Sequence, residues 1–304
     1  MTWRLTGSLD EFLAAAGDHL RSDPVRNTVP LTVLGALRQR GLSAFGEKPP
    51  SFGWHEMSQG TASGVDGALF QTPPFAMWLA TLPMGSIGAL VESLRAVAGL
   101  PAAVNVPAEA AADFATAWTA ATAGTATAGL RSRLHRLAGL VLPEPAPAGV
   151  VRTAGSDDRG LLVRWHDDFA REAESAAAEN SESIVDDRLS HGGLRLWEVE
   201  GEPVAMAGST RAVNGVVRVA GVYTPPAHRR KGYGGAVTAA ASQAALDAGA
   251  AAVVLYTDLA NPTSNALYAR LGYEPVADRV VLDLGAAAGQ GDVTSRGPTS
   301  SQRL

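Results

Sequence analysis

The sequence predicts a mixed α/β protein made of two consecutive units, each a mixed, mainly antiparallel sheet flanked by helices. Three observations carry this expectation. The 304 residues exceed the size at which a single core stops growing, about 250 to 300 residues. The stretch Pro143-Glu144-Pro145-Ala146-Pro147-Ala148 can hold neither a helix nor a central strand and so reads as a linker. The residues after it pass from short strand-like runs with tight turns to an alternation of helix and strand, the pattern of a sheet that is antiparallel first and crossed over by helices later. The expected organisation is a first α/β unit over 1–142, the linker 143–148, a second unit over 149–284 and a disordered tail over 285–304, where Gly, Ala, Ser and Thr show no apolar periodicity.

In the second unit, Val150-Val151-Arg152 reads as a short strand and Ser156 to Glu174 as a helix, with Ser156 as cap and Asp157 and Asp158 in its first turn. A second helix is expected over Ser181 to Leu189. Three strand runs follow, Leu194 to Glu200, Pro203 to Thr210 and Val216 to Thr224, separated by Gly201-Glu202 and Asn214-Gly215, which makes an antiparallel meander. Then come an alanine-rich helix, Gly232 to Ala248, an apolar strand, Ala251 to Thr257, and a short helix, Pro262 to Leu271. Asn261 caps that helix, Pro262 starts it and Gly272 lies past its end. Tyr273 to Leu284 supplies closing strands.

The first unit runs through a helix over Val25 to Arg40 and strands at Phe52 to Glu56, Ala68 to Thr72 and Phe75 to Leu82. A helix over Ser86 to Ala98, a strand over Ala102 to Val106 and a helix over Ala108 to Ala121 complete it. That order matches the later one and suggests duplication.

Composition narrows the function. A net charge of -5 gives no general attraction for polyanions, so no nucleic-acid partner is expected. The absence of cysteine removes a thiolate nucleophile and any cysteine metal site. His55 and Glu56 are neighbours on a strand and face opposite ways, so no metal is expected. Met1 to Leu20 contains Arg4, Asp10, Glu11, Asp18 and His19, which breaks any signal-peptide core, and no window of about 18 residues is apolar enough for a membrane span. A cytoplasmic monomer or homodimer with no membrane partner is the expectation.

The segment Val222-Tyr223-Thr224-Pro225-Pro226-Ala227-His228-Arg229-Arg230-Lys231-Gly232-Tyr233-Gly234-Gly235 carries the most chemistry. It puts glycines at the start of a helix directly after a strand, where unpaired N–H groups and the helix dipole form an anion site. Arg229, Arg230 and Lys231 add cationic donors beside them. A pyrophosphate fits such a site. On the short helix Asn261, Asn265 and Tyr268 recur at helical spacing and share one polar face, while Leu267 and Leu271 share another.

The chain here resembles the GNAT superfamily of acyl-CoA-dependent N-acetyltransferases. Its pyrophosphate loop has Gln or Arg, two variable residues, Gly, one variable residue, then Gly or Ala, which Arg229-Arg230-Lys231-Gly232-Tyr233-Gly234 matches. Asn261-Pro-Thr-Ser-Asn265-Ala-Leu-Tyr268-Ala-Arg-Leu-Gly-Tyr273 looks like the family's second signature. The resemblance implies tandem GNAT-like domains and acetyl-CoA as co-substrate, with the amine of a small molecule or a protein as acceptor. It implies that Val222, Tyr223 and Thr224 end a strand splayed from its neighbour to take the pantetheine arm. It also implies Tyr268 as the general acid that protonates the departing thiolate. Glu198, Glu200 and Asp258 are candidates for the base, none singled out, and His191 beside Gly192-Gly193 reads as a loop histidine. Longer acyl groups, or CoA binding without catalysis, are the alternatives. Leu82-Pro83-Met84-Gly85-Ser86-Ile87-Gly88 stands where the basic loop would be in the first unit, with no cation, so that unit reads as a degenerate copy or an accessory α/β domain.

Overall fold

The computed structural model describes residues 2–59, 62–96, 100–172 and 181–285. Its first half runs β1 (Thr2–Thr6), α1 (Leu9–Ser22), α2 (Thr28–Arg40), β2 (Ser51–Gln59), β3 (Ala62–Gln71), β4 (Met77–Thr81), α3 (Ile87–Arg95), β5 (Ala103–Pro107), α4 (Ala111–Thr122) and β6 (Thr125–Leu137). The second repeats the order with β7 (Val150–Thr153), α5 (Arg159–Glu172), α6 (Ser181–Ser190), β8 (Leu194–Val199), β9 (Glu202–Ser209), β10 (Val216–Tyr223), α7 (Tyr233–Asp247), β11 (Ala252–Asp258), α8 (Pro262–Arg270) and β12 (Tyr273–Gly285). The tail from 286 onward and the expected last residues of the 156–174 helix lie outside the described residues.

All twelve strands form one sheet in the order β1-β2-β3-β4-β5-β12-β6-β11-β10-β9-β8-β7. It is mixed and mainly antiparallel, with β4–β5 and β10–β11 as the parallel pairs. The two halves exchange their last strands: β12 pairs with β5, β6 pairs with β11, and β6 and β12 pair with each other over most of their length. This is why the expected pair of closing strands over 273–284 is a single long strand. The other one comes from the first half.

Helices cover both faces. The alternation of β3 shows how: Leu69 packs with α3 and α4, while Ala68 and Phe70 pack with α1 and α2. In the second half α7 and α8 cover Val217, Val219, Val253 and Leu255. On the other face α5 and α6 cover Leu194, Leu196 and Met206. The buried alanines Ala236, Ala239, Ala241 and Ala245 let α7 lie close to the strands. The first helix of the second half starts differently from expectation. Ser156–Asp158 is a 3-10 turn, and Asp158, gripped by Arg152 at 2.6 and 2.8 Å, accepts from the Gly155 N–H at 2.8 Å in place of a Ser156 cap.

Candidate active site

The parallel pair β10–β11 is short. Val216, Val217 and Arg218 face Ala252, Val253 and Val254, and the pairing stops there, although β10 runs on to Tyr223 and β11 to Asp258. The register of β10 against β9 shifts between Ala220 and Tyr223, and Gly221 adopts φ +69°, a left-handed backbone that favours glycine. This bulge turns the end of β10 from β11 and leaves a gap. Val222 and Thr224 stand at its edge, half-buried, and the Tyr223 ring is buried beside Trp165.

The gap leads into the start of α7. The first intrahelical bond runs from Ala236 N to the Gly232 carbonyl at 3.1 Å, so the N–H groups of Tyr233, Gly234 and Gly235 precede it and point out of the helix end. Gly232, at φ +86°, makes the entry turn. A β-carbon on Gly234 would stand 3.3 Å from Thr224 Oγ1, so glycine keeps the strand end and the helix start close. The three cations divide. Arg229 donates from Nε to the Thr224 carbonyl at 2.8 Å and from Nη2 to Glu172 at 2.7 and 2.8 Å, which makes it a brace for the loop. Arg230 and Lys231 are exposed. The Pro/Ala linker packs here, with Pro147 beside Gly232 and Pro143 beside Gly235.

On α8 the Asn261 side chain accepts from Ser264 N at 3.0 Å, as a cap should. Asn265 accepts from Thr257 Oγ1 at 2.6 Å and donates to the Asp258 and Asn261 carbonyls at 3.0 and 2.9 Å. Its amide thus ties α8 to the end of β11, a structural duty that the sequence reading did not give it. Tyr268 is 8% exposed, packed edge-on against Tyr273 with Leu267 and Leu271 nearby. Burial raises its phenol above the ordinary range, so the hydroxyl keeps its proton.

Of the carboxylates and histidine weighed as bases, Glu198, Asp258 and His191 are engaged elsewhere. Glu198 accepts from Arg152 at 2.6 Å, Asp258 accepts from Ala260 N at 2.8 Å, and both ring nitrogens of His191 face backbone carbonyls. Glu200 sits in the β8–β9 turn at φ +52°. Three residues that sequence reasoning passed over lie on the α5/α6 side of the gap. His166 is buried, hydrogen-bonded through Nδ1 to Ser181 at 2.9 Å. Its Cδ2 is 3.8 Å from where a Gly221 β-carbon would be. Burial, and then Arg188, push its pKa down to about 4. Arg188 itself lies against Gly221, and Arg218 stands in β10. The signal for Arg218 was present: a charge inside the apolar run Val216-Val217-Arg218-Val219.

In the first half the matching gap is filled. β4 and β5 pair only at Met77–Val104 and Trp78–Asn105. Beyond that point Arg279 of β12 donates from Nη2 to the Leu79 and Asn105 carbonyls at 2.7 and 2.8 Å and from Nε to Asn105 Oδ1 at 2.6 Å. Its guanidinium lies 4.2 Å from the Trp78 ring centre. Among the described residues no group of three or more metal-type side chains comes together, and no helix is long and apolar enough to cross a membrane.

Comparison with known proteins agrees with this geometry. No curated protein sequence matches significantly. Solved structures do. An acetyltransferase of the GNAT family from Colwellia psychrerythraea is 12% identical at a TM-score of 0.59, over 94% of this chain and 100% of that one. A GCN5-related N-acetyltransferase from Sphaerobacter thermophilus is 13% identical at 0.57, over 96% and 98%. One from Kribbella flavida is 22% identical at 0.52, over 85% and 96%. These likenesses show that the fold of nearly the whole chain, both halves included, is shared. Residues 161–273 match the family model described as Acetyltransferase (GNAT) family, a span that holds the gap, the glycine loop and Tyr268, and the second half of the chain is therefore a GNAT-family acyltransferase domain.

Proposed function

We propose that this domain transfers an acetyl group from acetyl-CoA to a primary amine by direct attack, and that the first half binds no coenzyme. The observation that supports this best is the β10–β11 gap opening straight onto the first-turn N–H groups of α7. Backbone at Val222 that β11 does not pair suits an amide of a pantetheine arm, with Thr224, whose carbonyl Arg229 holds, next to it. The helix start at Gly232, Tyr233, Gly234 and Gly235 suits a pyrophosphate, with Arg230 and Lys231 as free cations and Arg229 holding the loop through Glu172.

The coenzyme supplies the acyl group, activated as a thioester. The rest falls to the chain. Tyr268, protonated at any physiological pH, can donate to the sulfur as negative charge gathers on it. Asn261 and Asn265 fix α8, and with it Tyr268, against β11. In the first half, the segment Leu82 to Gly88 lacks cations and Arg279 occupies the backbone acceptors that a pantetheine would use.

The test is to incubate the purified chain with acetyl-CoA and a panel of amines and follow CoA release. Release that requires both, one coenzyme bound per chain and activity falling as the acyl group lengthens are the expected results. A chain that neither binds acetyl-CoA nor releases CoA would refute the proposal, and activity rising with acyl length would replace acetyl by a longer group.

A further inference from the structure

Two arginines on the α5/α6 side of the gap, each half-buried, have no carboxylate partner among the described residues. The Arg188 guanidinium lies against the sheet, with Nη1 at 2.5 Å and 2.9 Å from where β-carbons on Gly208 and Gly221 would stand. Only glycine at both positions leaves it that room. Nη1 is fully buried and has no hydrogen-bond partner. Arg218 occupies the last β10 position paired with β11, and its Nη1 donates weakly to Thr28 Oγ1 at 3.4 Å. Each charge is desolvated, and Arg218 further disfavours the charge on Arg188.

Elsewhere in the chain guanidinium groups have their acceptors: the buried Arg279 has the Leu79 and Asn105 oxygens, and the part-exposed Arg133 and Arg152 have carboxylates. Arg133 has Asp278 and Arg152 has Asp158 and Glu198, all at 2.6 Å. Among the described residues neither Arg188 nor Arg218 has such an ion pair. A pair of partly desolvated like charges with one enclosed, idle donor is costly unless an anion completes it. A planar guanidinium fork fits a carboxylate in particular.

The location says which anion. The coenzyme's phosphates have their own site at the start of α7, whose side chains pack on the opposite face of the sheet from α5 and α6. With the coenzyme's phosphates assigned to the other face, the α5/α6 face is the side of the gap left for the acceptor. We propose that Arg188 and Arg218 hold a carboxylate of the acceptor, which is therefore an amine carrying a nearby carboxylate, as in an α- or β-amino acid. This rests on the acyltransferase reading above.

The test uses the full chain, acetyl-CoA and a panel of α- and β-amino acids, each paired with its own carboxamide, plus ethanolamine and phosphoethanolamine. At least one acid should be acetylated with kcat/KM tenfold or more above its amide. Arg188→Met should erase that preference while acetyl-CoA binding, measured by calorimetry, stays unchanged. Relief of like-charge repulsion should leave the variant's Tm equal to or above that of the parent chain, whereas a purely structural arginine would lower it. If no amine turns over, the same acids are scored with CoA present for a rise in Tm that Arg188→Met abolishes; no such rise overturns the proposal. Acid and amide used equally, or phosphoethanolamine used in place of every carboxylate, also overturns it. Loss of acetyl-CoA binding in the parent chain would instead strike the acyltransferase reading.

Discussion

Arg279, on the last strand of the second half, donates to the carbonyl of Leu79, on the fourth strand of the first, at 2.7 Å. The chain separation is 200 residues, and the contact exists because β12 is inserted next to β5. One side chain thereby closes the gap that the second half leaves open. The two halves repeat one element order and differ at the same topological point, one filled by protein and one open.

Arg279→Met should destabilise the chain by about 3 kcal/mol or more. The side chain is 6% exposed, and its removal leaves the Leu79 and Asn105 carbonyls and Asn105 Oδ1 buried without a donor, at roughly 1 to 3 kcal/mol for each unsatisfied group. Denaturant unfolding of the full chain measures this. A cost under about 1 kcal/mol would mean that water replaces the guanidinium in the gap.

Residues 149–285 expressed alone should not fold to a soluble domain. Without β6, β11 loses its partner from Val254 to Asp258 and β12 loses its partner along nearly its whole length. Two bare edges then face each other across an empty slot, a template for aggregation. Co-expression with residues 1–142 should restore solubility and coenzyme binding, which size-exclusion chromatography and calorimetry would show.

Apart from the start of α5 and the single closing strand, the sequence reading located the second half's strands and helices to within a residue or two, because Asn214-Gly215, Asn261-Pro262 and Gly272 punctuate it and its apolar runs alternate cleanly. It missed β1, α1 and β6. In α1 the signal was legible, with Ser8 as cap and Phe12, Ala16 and Leu20 at helical spacing; that stretch had been weighed only as a leader peptide. In β6 it was not. Much of Thr125 to Arg131 is exposed, and this strand is defined by backbone pairing with β11 and β12, which leaves no apolar trace in the sequence. Strand exchange is a long-range fact of the same kind. Arg188 escaped notice because an arginine near a helix end ordinarily means solvent, and its burial depends on glycines in two other elements.

Gly234→Val should weaken coenzyme binding at least tenfold, about 1.4 kcal/mol. The added β-carbon would stand 3.3 Å from Thr224 Oγ1, and its branches would crowd the N–H groups at the start of α7. Calorimetric titration with CoA checks this; unchanged affinity in a folded variant would remove the loop from the coenzyme site.

Tyr268→Phe should leave folding and coenzyme affinity nearly unchanged while kcat falls by about 10² to 10⁴, the range for general acid help. Single-turnover rates are the proper readout, since product release can mask the chemical step. The loss should shrink for thioester analogues whose leaving thiol is more acidic. A variant with parental single-turnover rates would reduce Tyr268 to its packing against Tyr273.

His166 should make the protein lose stability as pH falls from about 6.5 to about 4. An unfolded imidazole titrates near 6.5, whereas burial and the nearby Arg188 hold the folded one at about 4. The unfolded chain therefore takes up the proton first, and the folded state is penalised progressively through that window; above it neither state is protonated and the effect vanishes. With His166 4% exposed, the full penalty is on the order of 3 kcal/mol at most, from about 1.36 kcal/mol per pKa unit. His166→Gln removes the titrating group, so the slope of unfolding free energy against pH should flatten between 6.5 and 4 even if the absolute stability changes. Because Arg188 contributes to the shift, Arg188→Met should move the onset of the loss to lower stability cost, with a folded-state His166 pKa above that of the parent chain by NMR titration. Identical slopes in the parent chain and the His166→Gln variant would show that other groups govern the acid limb.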